Sequence, residues 1–231
     1  MSKTILITGA SRGIGYQTAL KLASENHTVI ATARSQDKLK QLSKEADNGT
    51  IISVPADLTE PGDIEKLVTA VEEAGDLDGL INNAGALYLK DFMDTEIEDF
   101  QKLMDVNVFG IVRITKAMKA HLKKGSHIVN ISSMSGYQGS SKFAGLSAYS
   151  AAKAAVVGLS EVMSAEFTQD EIAVNCLCLG AVQTEMLAQA FPGFDAPVSP
   201  KQMGAYIADF VLNAHQFYNG KVLPVALNDP G

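Results

Sequence analysis

Thr4-Ile5-Leu6-Ile7-Thr8-Gly9-Ala10-Ser11-Arg12-Gly13-Ile14-Gly15 is the stretch on which the fold turns. The β-branched, apolar run Thr4–Thr8 reads as a strand. Glycines at 9, 13 and 15 interrupt it, and a helical pattern follows over residues 14–23. At a strand–helix junction such glycines permit a tight turn and let main chain approach a pyrophosphate, whose charge a helix N-terminus favours. The spacing is G-x-x-x-G-x-G rather than the commoner G-x-G-x-x-G. A Gly-rich turn can be a turn and nothing more, but three glycines at a first βα junction favour a dinucleotide site.

Outward from this junction, short β-branched runs alternate with longer helical patterns. Strands are expected at 28–33, 50–54, 77–81, 126–132, 172–177 and 221–225. Helices are expected at 37–46, at a segment capped by Thr59 with Pro61 in its first turn, at 95–122, at 147–167 and at 201–213. Apolar strands alternating with helices imply a parallel sheet covered on both faces. The reading is one doubly wound α/β domain over residues 1–231, with about seven mostly parallel strands.

Composition narrows the function classes. Hydrophobic residues make up 46% of the 231-residue chain and charged residues 19%, which suits a buried core and not a disordered chain. A net charge of −7 argues against nucleic acid as the main partner. The apolar run at the N-terminus is too short for a signal peptide, and no stretch approaches a membrane span. Cys176 and Cys178 are a C-x-C pair without further Cys or His nearby, so they read as small buried hydrophobes and not as a metal site or disulfide. A reducing cytoplasm is the expected setting, and no metal is expected.

Tyr149-Ser150-Ala151-Ala152-Lys153 places a phenol and an ammonium one helical turn apart. An unperturbed phenol has a pKa of roughly 10 and is a poor acid or base near neutrality. A neighbouring cation stabilises the phenolate and draws that value down. After the second strand, Arg34 stands where an NAD site usually presents a carboxylate, and Arg12 lies in the Gly-rich turn. Two guanidiniums suit a 2′-phosphate, so NADP(H) is preferred, with NAD(H) as the alternative that Asp37 keeps open. Asp57-Leu58 ends the third strand, where a side chain can meet an adenine, and Asn82-Asn83-Ala84-Gly85 ends the fourth. Asn107 is unusual inside a helical pattern: it marks either an ordered water or proton path, or a local helix distortion. Ile131-Ser132-Ser133 ends the fifth strand at the carboxyl edge, where a hydroxyl can donate to a substrate oxygen.

Taken in order, these motifs resemble the short-chain dehydrogenase/reductase family, Rossmann-type enzymes with a Ser-Tyr-Lys active site, over nearly the whole chain. The resemblance implies that Gly9, Ser11, Arg12, Gly13, Ile14 and Gly15 form the cofactor turn, with Arg34, Asp57, Leu58, Asn83, Ala84 and Gly85 also at the cofactor. Gly180, Val182 and Thr184 fall where the family touches the nicotinamide end. It further implies Tyr149 as general acid/base on a carbonyl/alcohol pair and Lys153 as the cation that lowers the phenol pKa and bonds the nicotinamide ribose. Ser133 would hold the carbonyl, with Ser132 and Ser135 as alternatives, and Asn107 would position a relay water. A homodimer or homotetramer paired through the two long helices follows by the same resemblance. The rival from another class is a non-catalytic dinucleotide sensor, in which Tyr or Lys is commonly lost; both are present here.

The chain departs from the family pattern in several places. Residues 134–148 form a longer loop than usual before Tyr149. Leu179-Gly180 replaces the common Pro-Gly, and the 227–231 tail lacks the usual Asp-Gly-Gly. Residues 185–200 make a short substrate lid. Leu87, Tyr88, Phe92, Tyr137, Phe143, Met186, Phe191 and Phe194 are the expected pocket walls, favouring an uncharged, moderately hydrophobic carbonyl substrate.

Overall fold

In the computed structural model, which describes residues 2–227, seven parallel strands form one sheet in the order β3-β2-β1-β4-β5-β6-β7. The strands are β1 (Thr4–Thr8), β2 (Thr28–Ala33), β3 (Thr50–Pro55), β4 (Leu77–Asn82), β5 (Leu122–Ser133), β6 (Ala173–Leu179) and β7 (Val222–Val225). Residues 228–231 of the tail lie outside the described part. Chain order reverses between β1 and β4, and in a doubly wound sheet the crevice at that switch point, beyond the carboxyl ends of the strands, receives ligands.

Alternation along each strand sends successive side chains to opposite layers. Ile5, Ile7, Ile81, Val129 and Leu177 pack under α1 (Gly13–Ser24), α2 (Gln36–Lys44) and α8 (Pro200–Asn213), through Leu22, Leu39 and Ile207 among others. Leu6, Ile30, Leu80, Ile128 and Val174 pack against α3 (Pro61–Ala74), α5 (Gly110–Met118) and α6 (Ser147–Glu166), through Leu67, Val71, Ile114 and Met163. Each such side chain, fully buried, contributes about 1.5–3 kcal/mol. Pro224 sits in β7, whose outer side is an edge, so its missing N–H costs the ladder nothing.

The helix ends correct the sequence in detail. The cap of α3 is Glu60 and not Thr59, because the Thr59 hydroxyl donates to Asp57 Oδ1 at 2.8 Å. The expected helix over 95–122 is interrupted: α4 (Ile97–Met104) passes through one π-helical turn, Asp105–Phe109, into α5, and Leu122 opens β5. Segment 185–200 begins with a helix, α7 (Glu185–Ala190), that the sequence pattern does not announce. Thr184 caps it by accepting from Leu187 N at 3.2 Å.

Candidate active site

The Gly-rich turn and the end of β4 are stitched together by main chain and two side chains. Thr8 Oγ1 accepts from the N–H groups of Asn83 and Ala84, each at 3.0 Å. Asn83 Nδ2 donates to Thr8 O at 3.0 Å and Gly9 O at 3.2 Å. Gly9 has φ +71°, and a Cβ there would lie 2.8 Å from Ala84 Cα; a Cβ on Gly15 would lie 2.5 Å from Asn83 Nδ2. Glycine at 9 is therefore demanded by both conformation and space. The result is an open main-chain cradle at the N-terminus of α1, a shape and polarity that fit a pyrophosphate. Ser11 and Ile14 are half-buried in the same turn.

Around this cradle, Asp57 accepts from Thr59 N at 2.9 Å, while its own N–H donates to Asp63 Oδ2 at 2.8 Å. Leu58 packs beside Gly110. Arg34 and Asp37 are exposed and, among the described residues, make no ion pair. Arg12 pairs with Glu185 at 2.9 Å. Gly180 is anchored by its N–H to Val225 O at 3.0 Å, buried Val182 bridges to Val198, and a Cβ on Gly13 would lie 3.4 Å from the Thr184 methyl. Gly180, Val182 and Thr184 thus run across from the Gly-rich turn.

Ser133, at the carboxyl end of β5, and Tyr149 and Lys153, one turn apart on α6, come together on the other side of the switch point. Lys153 is 4% exposed, and its Nζ donates to Ile131 O at 2.9 Å. Burial disfavours the ammonium and brings its pKa down to about 8, partly opposed by the Cys176 and Cys178 thiols. Both cysteines are fully buried, as small hydrophobes would be.

The Tyr149 phenol behaves differently from the sequence expectation. Burial pushes its pKa up, and the Ser133 hydroxyl opposes that shift. Lys153 Nζ stands 5.8 Å from the ring centroid and is turned toward Ile131 O, so the cation is spent on a carbonyl and not on lowering the phenol. Of the three candidate serines, Ser132 is committed to the helix by donating to Lys153 O at 2.8 Å. Ser135 donates to Ser133 Oγ at 3.1 Å from both its N–H and its hydroxyl. Ser133 is the hydroxyl that faces the phenol.

Asn107 is fully buried inside the π-helical turn, so the distortion reading is the one observed. Its amide donates to Leu103 O at 2.9 Å, the carbonyl that its own main-chain N–H would take in a regular α-helix. It also donates to Ala86 O at 3.0 Å and accepts from Ala86 N at 3.2 Å. A Cβ on Gly85 would lie 2.8 Å from Asn107 Oδ1 and 3.5 Å from Lys153 Nζ, so the Ala84–Gly85 chain runs between the helix amide and the ammonium.

Just after Ser133 the longer loop packs tightly on α6: a Cβ on Gly136 would lie 2.4 Å from the Lys153 carbonyl carbon. Further on, Lys142 Nζ ties the loop by donating to Tyr137 O at 2.6 Å and Ser140 Oγ at 2.7 Å. Phe143 meets Phe191 edge-on at 6.2 Å, joining the loop to segment 185–200. A cavity of about 820 Å³ lined by Phe92, Met93, Tyr137, Phe143, Ser150 and Ala154 lies round α6 from Tyr149 and Lys153, and neither of these lines it. Phe92, Tyr137 and Phe143 are thus its walls, whereas Leu87, Tyr88, Met186, Phe191 and Phe194 are not. Thr8 lies inside the motif read as the Gly-rich turn, but its hydroxyl bonds to the end of β4, and the meeting of Lys38 with Glu185, arise only through tertiary structure.

Known proteins with this arrangement are numerous. A NADPH-dependent pterin aldehyde reductase of Arabidopsis thaliana is 35% identical over 231 residues, covering 97% of this chain and 93% of its own. A 3-oxoacyl-[acyl-carrier-protein] reductase of Synechocystis is 34% identical over 191 residues, covering 80% and 76%. Among solved structures, a short chain dehydrogenase from Burkholderia cenocepacia in complex with NADP superposes with a TM-score of 0.85 at 26% identity, covering 100% of this chain and 98% of its own. The short chain dehydrogenase family model matches residues 3–193, from the first strand through the Gly-rich turn, the Ser-Tyr-Lys cluster and α7. On that match and these relatives, the chain is an oxidoreductase belonging to the short chain dehydrogenase family.

Proposed function

We propose that the chain is an NADP(H)-dependent oxidoreductase that interconverts a carbonyl compound and its alcohol, with Tyr149 as general acid/base. The observation that carries this reading is the buried Lys153 one turn from the half-buried Tyr149, with Ser133 beside the phenol, set across the switch point from the glycine cradle. Bound nicotinamide supplies or accepts the hydride. Burial raises the Tyr149 pKa, so the phenol is protonated near neutrality, the form that donates, and a positive charge placed beside it would make it a stronger acid. Ser133 would hold that oxygen, and Lys153 would place a positive charge near the ribose and the phenol. Asn107 is assigned a positioning role: its side chain holds Ala86 and so keeps the Ala84–Gly85 chain beside Lys153. Both Asn107 Nδ2 hydrogens are committed to Leu103 O and Ala86 O, so a relay water held by this side chain would donate to Oδ1.

Preference for NADP(H) is supported by Arg12, Arg34 and the nearby Lys38, with no carboxylate among the residues that end β2. The Arabidopsis relative, named for NADPH, and the Burkholderia structure with NADP agree with it. Segment 185–200 would serve as the substrate lid. Its aromatic contact with the long loop favours an uncharged, moderately hydrophobic carbonyl compound. A homodimer or homotetramer in the cytoplasm belongs to the same proposal; the outer face of α6, with Ala151, Ala154, Gly158 and Val162 exposed, would permit close helix approach.

The test is NADPH oxidation against a panel of aldehydes and ketones, run with wild type and Tyr149→Phe. We expect turnover to fall about 10²–10⁴-fold in the variant, the size of a lost general acid, with NADPH affinity kept within two-fold. Near-wild-type turnover in Tyr149→Phe sinks the mechanism. Silence of the wild type across a broad panel moves the assignment to a dinucleotide-binding sensor.

A further inference from the structure

Three side chains from three distant parts of the chain meet above the Gly-rich turn. Arg12 caps α1, Lys38 lies in the first turn of α2, and Glu185 is the first residue of α7. One oxygen of the Glu185 carboxylate receives Arg12 Nη1 at 2.9 Å and lies 3.8 Å from Lys38 Nζ. Glu185 is not free to wander, because Thr184 beside it caps α7 and lies across the turn from Gly13. The two cations therefore share one anionic oxygen, and that oxygen belongs to the lid.

A phosphate is a natural competitor for this place. It carries more charge than a carboxylate and presents oxygens that a guanidinium binds bidentately. Arg34 directly follows β2 and Lys38 lies in the first turn of α2, so both belong to the end of β2, where a dinucleotide's ribose lies in this kind of fold. Glu185 and a 2′-phosphate cannot both keep the pair without close like-charge repulsion. All three side chains are about half exposed, at 44%, 47% and 54%, so the ionic contact is weak enough to be exchanged.

We propose that Glu185 occupies the 2′-phosphate subsite as an internal substitute, and that yielding Arg12 and Lys38 to the 2′-phosphate of NADP(H) frees the lid at its first helical turn. Lys38 is thereby a third cation of the subsite, and NAD(H), lacking that phosphate, leaves the contact in place. The inference rests on the NADP(H) reading above. It makes one group serve both cofactor choice and lid position.

The experiment uses the full chain with 2′,5′-ADP and 5′-AMP, which differ in the 2′-phosphate and carry no nicotinamide. Calorimetry would be run on wild type, Glu185→Gln and Lys38→Gln, with hydrogen exchange followed over residues 185–190. Glu185→Gln should tighten 2′,5′-ADP by about two- to five-fold, the worth of an exposed ion pair, and leave 5′-AMP unchanged. Lys38→Gln should weaken 2′,5′-ADP by a similar factor, again without effect on 5′-AMP. Saturating 2′,5′-ADP, but not 5′-AMP, should speed exchange at 185–190 in wild type. In Glu185→Gln exchange there should be fast from the outset and indifferent to either nucleotide. If wild type prefers 2′,5′-ADP yet Glu185→Gln changes neither affinity, or both alike, the lid contact is overturned while the cofactor reading stands. If wild type binds the two nucleotides equally, the cofactor reading fails and takes this inference with it.

Discussion

The two sides of the carboxyl edge are built on different terms. On the cradle side, Thr8, Gly9, Asn83 and Ala84 are joined by hydrogen bonds between main chain and the Thr8 and Asn83 side chains, and by contacts that leave no room for a methyl group. On the lid side, beyond the packed Gly136, the chain is held by an aromatic edge contact, a lysine on loop carbonyls and half-exposed ion pairs. Buried hydrogen bonds are costly to break singly, whereas exposed ion pairs are worth little. The difference teaches where each side gets its shape. The proposed phosphate cradle takes its shape from glycine backbone pinned by the Thr8 and Asn83 side chains, while the proposed lid is held by exposed side chains that can exchange partners.

The strongest way to break this contrast is Thr8→Val, which keeps volume but leaves the N–H groups of Asn83 and Ala84 without their acceptor. At about 1–3 kcal/mol for each unsatisfied group, thermal unfolding should show a loss of about 2–6 kcal/mol, and NADPH affinity should drop more than tenfold. A loss under about 1 kcal/mol would mean that the cradle is no stiffer than the lid.

Acid tests the sheet that both sides share. His127 is fully buried, bonded to Val211 O at 3.1 Å and Asn175 Nδ2 at 2.9 Å, and burial brings its pKa from 6.5 down to about 4. The folded state resists a proton that the unfolded chain accepts, so stability is lost as pH falls from about 6.5 to about 4. At about 1.4 kcal/mol per pH unit this amounts to roughly 3 kcal/mol. Denaturant midpoints measured across that window should fall in wild type and level out in His127→Gln, and cradle and lid should weaken together.

Lys153 sharpens the contrast from within the site. With its pKa near 8, the ammonium is lost above that value, so kcat/KM for carbonyl reduction should decline toward tenfold per unit once pH passes 8. A pH–rate profile flat to pH 9.5 would show that the Lys153 charge is not needed. The smallest expected effect is Phe191→Ala: removing the edge contact with Phe143 should change stability by about 0.5–1.5 kcal/mol and act mainly on KM for the carbonyl substrate. A stability loss above 3 kcal/mol would place Phe191 in the structural core instead.

Much of the frame was legible because its signals are local. Thr4–Thr8 and Thr28–Ala33 fall where their β-branched runs predict, and Pro61 and Pro200 open helices as Pro at a first turn should. The Gly-rich turn, Asn107, Ser133, Tyr149 and Lys153 could be picked out by residue type and order. What stayed hidden depends on partners far along the chain. Asn107 stood out as a place of water binding or helix distortion, but nothing local chose between the two or said that its amide would take the Leu103 carbonyl. Helix α7 is a single short turn region whose cap and contacts, not its propensity, hold it.

Residue order and periodicity thus settled the strand–helix alternation, the glycine turn and the spacing of Tyr149 and Lys153, all properties carried within a few residues. The direction of the Tyr149 pKa, the bonding of Ser132 to the Lys153 carbonyl while Ser133 faces the phenol, and the meeting of Glu185 with Arg12 and Lys38 had to wait for the packed molecule. Each is a matter of desolvation or of distance between chain-remote groups. Both quantities come into being when the sheet and its helices close around them.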